Sequence, residues 1–326
     1  MISKIRLLAV ALVVLAVSVC AIVSEAQNGW TILHVPSGGK DLNAVYFLDS
    51  KRGWVGGDGG FLAYTDDGGA NWTERRLGTD HAVNDVHFVS KDRGFALTGG
   101  SIFETTDGGH SWSEAHKFLP SEFKGAVPEL YSLRFNGKKR GWVVGSASRG
   151  DVVTGSILAI TRDSGATWQV LRAPTDRELI HIDVVDDRRA WIVGAGGAIL
   201  HTEDEGETWA KQNSGTTVTL FHVDFRNAKI GWAVGERGTV LRTEDGGNTW
   251  TKVESPIRST LLSVQFVNDD EGWIVGRGGV ILRSGNRGLT WIEQASGTKQ
   301  NLYALFVDKK NGWAVGSDGL VMKYQR

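Results

Sequence analysis

The stretch Thr243-Glu244-Asp245-Gly246-Gly247-Asn248-Thr249-Trp250 decides the fold, because the chain contains six related copies of it. An Asp between Thr and Gly is typical of a tight turn, since its carboxylate accepts backbone N–H groups and Gly adopts positive φ. The Trp then re-enters the sheet as an apolar anchor. The motif therefore predicts a hairpin turn between two strands.

The six copies share a polar residue at the third position of the turn. These residues are Asp67, Asp107, Asp163, Asp204, Asp245 and Asn286. Repeated carboxylates suggest catalytic groups or calcium ligands as an alternative. A repeated turn needs the same residues for its geometry alone, so we interpret all six as structural.

Two further units recur with the turn motif and complete the repeat. One is Gly231-Trp232-Ala-Val-Gly235 and its relatives, and the other is an apolar segment such as Leu220–Phe225. Seven copies at a period of about 41 residues, each with four short strands, predict a seven-bladed β-propeller of antiparallel blades. The fold class is all-β, with one propeller domain over residues 27–326.

The ends of the chain predict how the ring closes. The seventh repeat lacks a turn motif and a fourth strand, whereas the segment around Trp30 resembles the strand that follows Trp72 in the first repeat. We expect the N-terminal segment to supply the outer strand of the last blade, so that the ring closes non-covalently and leaves only short edges.

Residues 1–26 have the pattern of a secretory signal peptide: a basic start, an apolar run from Leu7 to Val23, and Ser24-Glu25-Ala26 before the cleavage point. An uncleaved N-terminal anchor is the alternative, because the run is at the lower length limit for a membrane span. Cys20 suggests a lipoprotein as an alternative, but Val19 before it is bulkier than the Gly, Ala or Ser that lipoprotein processing normally requires, so we interpret Cys20 as part of the leader. We expect export to the periplasm or the extracellular space, and no obligatory membrane insertion of the mature chain.

Composition excludes several functional classes. The formal net charge of −1 argues against nucleic acid as a partner, since nucleic-acid binding favours a basic face. The chain has one Cys, within the leader, so disulfides and thiol chemistry are not expected in the mature protein. We predict no cofactor and a monomer.

The turn motif is the Asp-box of sialidase-type repeats. Its combination with Gly-Trp-x-Val-Gly-x-x-Gly over the mature chain resembles the photosystem II stability/assembly factor family of plants and cyanobacteria. The resemblance implies a non-catalytic propeller in the thylakoid lumen or periplasm that binds a membrane-protein precursor or another exported protein. A secreted glycan-binding protein or sialidase-like glycosidase is the alternative that the shared Asp-box leaves open.

Two insertions, residues 113–129 and 146–156, break the period, and the meander topology places both on the face opposite the Asp-boxes. Function concentrates in irregular loops on a rigid scaffold, so we predict partner binding there, with arginines suited to an acidic peptide. Ordinary solvated loop charges are the alternative. The candidate residues are Phe118, Phe123, Lys124, Arg149, Arg177, Arg237, Arg258 and Arg277.

A second candidate site is formed by His and Asp residues spaced two apart on the inner strands. The pairs are Asp85 and His87, His181 and Asp183, and His222 and Asp224. Such pairs suit metal binding, but polar residues beside a wet channel need no such role, so we predict no metal site. Glycosidase chemistry needs a Tyr nucleophile with a Glu, or two facing carboxylates, and we expect neither.

Overall fold

The computed structural model describes residues 29–325, and these form seven four-stranded antiparallel sheets arranged as a closed ring. The predicted seven-bladed propeller is confirmed. The predicted leader, residues 1–26, lies outside the described residues.

Each blade contributes one strand to the wall of a central channel. These inner strands are β2 (Leu42–Phe47), β6 (Val83–Phe88), β10 (Val127–Asn136), β14 (Leu179–Val184), β18 (Leu220–Phe225), β22 (Leu261–Phe266) and β26 (Leu302–Val307). The second strands are β3 (Gly53–Gly57), β7 (Gly94–Thr98), β11 (Arg140–Arg149), β15 (Ala190–Gly194), β19 (Gly231–Gly235), β23 (Gly272–Gly276) and β27 (Asn311–Gly316).

The third and fourth strands complete each blade towards the outside. The third strands are β4 (Phe61–Thr65), β8 (Ser101–Thr105), β12 (Val152–Thr161), β16 (Ile199–Thr202), β20 (Val240–Thr243), β24 (Ile281–Ser284) and β28 (Leu320–Gln325). The outer strands are β5 (Thr73–Arg76), β9 (Ser113–Lys117), β13 (Gln169–Val170), β17 (Ala210–Lys211), β21 (Thr251–Val253), β25 (Ile292–Gln294) and, in blade 7, β1 (Gly29–His34). Single 3-10 turns lie at Pro120–Phe123, Ala195–Gly197, Glu236–Gly238 and Ser317–Gly319.

The ring closes through the N-terminal strand, as predicted. β1 pairs antiparallel with β28, with Gly29 opposite Gln325 and His34 opposite Leu320. Trp30 packs edge-on against Trp273 of blade 6, with ring centroids 5.6 Å apart. The first described residues therefore hold the last blade to its neighbour.

The apolar core lies between blades. The second-strand Trp of one blade stacks on the inner-strand Phe of the next, as in Trp191 on Phe225 at 3.7 Å and Trp232 on Phe266 at 3.5 Å. The Trp232 indole N–H also donates to the Arg287 carbonyl in the Asp-box of blade 6, at 3.1 Å. Trp191 and Trp313 make the same kind of hydrogen bond, to the Gly246 and Gly68 carbonyls, so these three Trp residues join their blades to neighbouring Asp-boxes.

The propeller has two faces of different construction. The Asp-box face carries the turns between third and fourth strands and those between first and second strands. The insertion face carries the loops that join blades and the turns between second and third strands. Both insertions lie on the insertion face, although residues 113–117 form the fourth strand of blade 2. Residues 146–156 continue the β11–β12 hairpin, with a register shift between Ala147 and Ser148.

Candidate binding surfaces and central channel

Hydrogen bonds within each Asp-box account for its polar residues. In the fifth copy, Asp245 Oδ1 accepts the Thr249 N–H at 2.8 Å and the Thr243 hydroxyl at 2.8 Å. Asn286 accepts the Thr290 N–H in the same way, at 3.0 Å. The Asn71 backbone N–H and side-chain amide lower the pKa of Asp67 to about 2. These groups are occupied by the turn itself.

The first insertion forms a compact loop between blades 2 and 3. Phe118 is 1% exposed and packs into the core beside the partly buried Phe123. The prediction that Phe118 contacts a partner from the surface is therefore wrong. Lys124 is exposed, and its backbone is in the left-handed region with φ of 56°. Its carbonyl accepts a hydrogen bond from the Arg149 guanidinium. The loop therefore braces the neighbouring hairpin.

That hairpin, formed by the ends of β11 and β12, is an apolar projection that the sequence interpretation missed. Val127 and Val152 are 58% and 65% exposed, and Val153 is also exposed. In the strand register, Val127 lies opposite Ser148 and Ser148 opposite Val153, so these three form one cross-strand row. The run of β-branched residues Val152, Val153 and Thr154 was the available strand signal, but treating the segment as a loop concealed it.

A basic groove adjoins this row of side chains. It has a volume of about 650 Å³ and is lined by Val153, the segment 172–177 and Lys211. Arg172, Arg177 and Lys211 are exposed, and none forms an ion pair with any residue in the described range 29–325. Arg177 was predicted, whereas Arg172 and Lys211 were missed because they lie on and beside outer strands of two different blades.

Three predicted arginines lie further around the same face. Arg237 and Arg277 occupy the turns of blades 5 and 6, and Arg258 lies on the loop between these blades. All three are exposed. Arg237 has φ of 56° where blades 4 and 6 have Gly196 and Gly278, so a side chain is present in a conformation that favours glycine.

More residues of each inner strand line the central channel than simple strand alternation predicts. Each of the seven inner strands has a β-bulge, at the second residue in six of them and at Tyr131 in the longer β10. Consecutive residues such as Asn43 and Ala44 therefore both line the channel. One cavity in the channel has a volume of about 360 Å³ and is lined by residues from every blade, including Asn43, Tyr131 and Tyr303.

Arg134, which sequence reasoning missed, is at the centre of the channel. Its guanidinium pairs with Asp85 at 2.6 Å and contacts His181 Nε2 at 3.0 Å, and the His181 ring stacks on His222 at 3.6 Å. Burial, together with Arg134, lowers the pKa of His222 to about 3. The imidazoles are therefore neutral at physiological pH.

The acidic members of the His–Asp pairs serve the joints between blades. Asp183 Oδ2 accepts the Phe225 N–H at 2.6 Å, and Asp224 Oδ2 accepts the Phe266 N–H at 3.0 Å. Burial raises the pKa of Asp224 to about 8, and the neighbouring Asp183 adds to this shift. Within residues 29–325, no three His, Cys, Asp or Glu side chains come together in a group that could hold a metal ion.

The channel tyrosines are also engaged by the fold. The Tyr46 hydroxyl donates to the Phe88 carbonyl at 3.1 Å, and the Tyr303 hydroxyl donates to Asp41 at 2.9 Å. The Tyr131 hydroxyl lies 3.0 Å from Ser146 Oγ. Burial raises the pKa values of Tyr46 and Tyr131, which opposes formation of a phenolate nucleophile.

The Asp-box side chains are hydrogen-bonded within their turns, and the polar side chains of the channel are bonded to one another and to the backbone. The exposed loops lie on the insertion face. These features define the class of Asp-box propellers, in which a closed ring presents loops on one face. Within it, the family model described as photosynthesis system II assembly factor YCF48 matches residues 72–149, 127–215, 160–259, 209–300 and 260–325. These matches run without a gap over more than half of the sequence. The chain belongs to this family, which confirms the resemblance predicted from the repeats.

Individual relatives agree with the family match. The chain is 25% identical over 161 residues to the photosystem II assembly lipoprotein Ycf48 of Synechococcus sp. (strain CC9902), covering 47% of this chain and 42% of the relative. It is 31% identical over 124 residues to the chloroplastic photosystem II stability/assembly factor HCF136 of Arabidopsis thaliana, covering 35% and 27%. The chain therefore matches less than half the length of either relative.

A solved structure described as YCF48 bound to D1 peptide superposes with a TM-score of 0.74 at 24% identity, covering 92% of this chain and 97% of that one. At this identity the similarity shows the fold. The relatives' descriptions, a lipoprotein and a chloroplast protein, are consistent with the export that the N-terminal sequence predicts. Within residues 29–325, no helix is long and apolar enough to cross a membrane.

Proposed function

We propose that this chain is an exported, non-catalytic assembly factor that holds a segment of a membrane-protein precursor on its insertion face. The observation that carries the proposal is the β11–β12 hairpin, whose exposed valines lie beside a groove with three cations that have no ion-pair partner within residues 29–325. Solvent-exposed apolar side chains rimmed by charge are typical of protein interaction sites. Two relatives are described as photosystem II assembly proteins, and a solved neighbour is described as YCF48 bound to D1 peptide. These descriptions support the proposal.

The chemistry of the face favours an extended segment with acidic and apolar residues. The valines Val127 and Val153 offer apolar contact, and Arg172, Arg177 and Lys211 offer donors to carboxylates. Arg237, Arg258 and Arg277 continue the positive charge across blades 5 and 6. A peptide that crosses from the hairpin to these arginines would meet these six cations, with Asp176 as an acidic residue in the groove.

The experiment is affinity capture by the chain from residue 27 to 326, using a gently solubilised membrane fraction of the source organism and mass spectrometry. We expect a membrane-protein precursor. Replacement of Arg237, Arg258 and Arg277 with Glu should lower capture about tenfold or more, because rim charges govern encounter and each contributes modestly to affinity.

The matched control carries the same change of charge on the opposite face, Lys91, Lys138 and Lys310 replaced with Glu. It should leave capture of detergent-solubilised precursor unchanged. Equal capture by the arginine variant, or recovery of glycans without any membrane protein, would contradict the proposal and favour the glycan-binding alternative.

A further inference from the structure

The Asp-box face carries a second set of turns around the mouth of the channel, between the first and second strands of each blade. In blades 1 to 6 the Asp-box holds this turn through a backbone hydrogen bond. Blade 7 has no Asp-box, and there Asp308 Oδ1 accepts the Lys310 and Asn311 N–H groups at 2.7 Å. Gly68 N–H donates to Lys51 O at 2.8 Å, and Ser164 N–H donates to Lys139 O at 2.8 Å. Because the backbone is fixed, the side chains of these turns project from the face in a set arrangement.

In blades 7, 1, 2 and 3, these turns present exposed lysines. They are Lys51, Lys91, Lys138, Lys139, Lys309 and Lys310. None of the six side chains is ion-paired to a residue that the structure describes. The arginine in the same turn is paired instead, as in Arg52 with Asp49 at 2.8 Å. The lysines are therefore free cations on an ordered scaffold.

The other half of the face has one exposed lysine in these turns, Lys229 of blade 5. Its exposed carboxylates Glu207, Asp269, Glu244 and Asp270 are each paired with an arginine. The basic half also contains the carboxylates Asp67, Asp107 and Asp163, which hydrogen bonds within their turns keep anionic by lowering their pKa values. The lysines without an ion-pair partner among residues 29–325 are nevertheless concentrated in this half, six against one, which gives the face a preferred orientation towards an anionic surface.

The described chain begins at this basic half. Gly29 and Asn311 both lie opposite Gln325 in the sheet, so Gly29 is level with the residue that follows Lys309 and Lys310. In the sequence, the apolar run Leu7–Val23 precedes Gly29 by only a few residues. The segment that sequence analysis assigns to a leader or an anchor therefore joins the propeller beside its lysines.

We propose that the basic half of the Asp-box face docks on an anionic membrane surface, with the six lysines against lipid phosphate headgroups. Each lysine close to an anionic bilayer raises the affinity by about fivefold, and the attraction decays within one Debye length. This orientation turns the insertion face away from the bilayer, where it can hold a segment of a membrane protein that extends into the aqueous compartment.

The test is sedimentation with vesicles of phosphatidylglycerol and phosphatidylcholine, compared with phosphatidylcholine alone. The ring is closed by residues 29–34, so the chain from residue 27 is used and the apolar run does not contribute. We expect binding to the anionic vesicles that weakens as salt rises from about 0.05 M to about 0.5 M. Replacement of Lys91, Lys138 and Lys310 with Glu should reduce the partition coefficient by about 100-fold.

The control is the variant with Arg237, Arg258 and Arg277 replaced by Glu, which has the same net charge and should bind anionic vesicles like the unaltered protein. Unchanged thermal midpoints for both variants show that each is folded. Absence of binding to anionic vesicles at low salt, or equal loss in both variants, overturns the proposal. Since precursor capture is measured in detergent and vesicle binding without precursor, failure of either proposal is distinguishable from failure of the other.

Discussion

The two faces of this propeller differ in how completely the fold uses their polar groups. On the Asp-box face, Asp245, Thr243 and their equivalents form hydrogen bonds within the turn. On the insertion face, Arg172, Arg177 and Lys211 have no ion-pair partner within residues 29–325. The comparison teaches that repetition marks the residues that build the ring, whereas departure from repetition marks the residues that are free to bind.

The lysines of the Asp-box face are the informative exception. They lie on a face built by the repeat, yet they are exposed and unpaired among the described residues, unlike the neighbouring Arg52. The Asp-box fixes the backbone of these turns in blades 1 to 3, and Asp308 does so in blade 7, but neither uses the lysine charge. A face can therefore be structural in its repeated positions and still offer a surface through the residues between them.

The largest expected effect comes from the Trp that joins one blade to the next. Trp232→Ala removes a fully buried ring that stacks on Phe266 and donates to the Arg287 carbonyl. The cavity and the lost hydrogen bond should lower the free energy of unfolding by about 3–5 kcal/mol. Denaturant titration followed by far-UV circular dichroism measures the change.

The control for this substitution is Trp232→Phe, which keeps most of the stacking and loses the indole N–H. Its cost should be about 1–2 kcal/mol, since it loses one hydrogen bond and part of the buried ring while Arg242 Nε still donates to the Arg287 carbonyl at 2.8 Å. If the Ala variant lowered the free energy of unfolding by less than about 1 kcal/mol, the contact between blades 5 and 6 would not depend on Trp232. The structural role assigned to this Trp and to the Asp-box that it contacts would then be wrong.

A smaller effect is expected within the Asp-box. Asp245→Ala removes the acceptor of the Thr249 N–H and should cost about 1–2 kcal/mol, like the loss of a helix N-cap. Asp245→Asn should cost less than about 0.5 kcal/mol, because Asn286 makes the same bond to Thr290 without a charge. Thermal unfolding of both variants separates the two effects. An Asn variant as unstable as the Ala variant would show that the charge, and not the hydrogen bond, is what the turn requires.

The fold was predictable from the sequence because its periodic signals coincide with local physical requirements. Asp-box turns need Asp245 or its equivalent, and the joints between blades need Trp232 or its equivalent, so both recur in the chain. The closing strand was predictable for the same reason, since Trp30 fills the place that Trp72 fills in blade 1. Each of these residues has a role that does not depend on its blade.

The candidate surfaces were less predictable because they depend on contacts between blades. Phe118 has the appearance of an exposed aromatic in an insertion, but the fold buries it against Phe123. Arg134 occupies a strand position where blades 4 and 5 have Asp183 and Asp224, and only the ring brings it to His181. The sequence pattern of a single repeat does not predict these contacts, because they form between residues of different repeats.

The smallest expected effect on stability sharpens the comparison between the faces. The double substitution Val152→Ser and Val153→Ser alters two exposed side chains at the hairpin tip and should change the free energy of unfolding by less than about 0.5 kcal/mol. The same variant should capture several-fold less precursor, because the apolar contact beside the basic groove is lost. The matched control is Ile292→Ser, which removes an equally exposed apolar side chain from outer strand β25 at its Asp-box end. Loss of capture in the Ile292 variant but not in the valine variant would move the binding site off the insertion face.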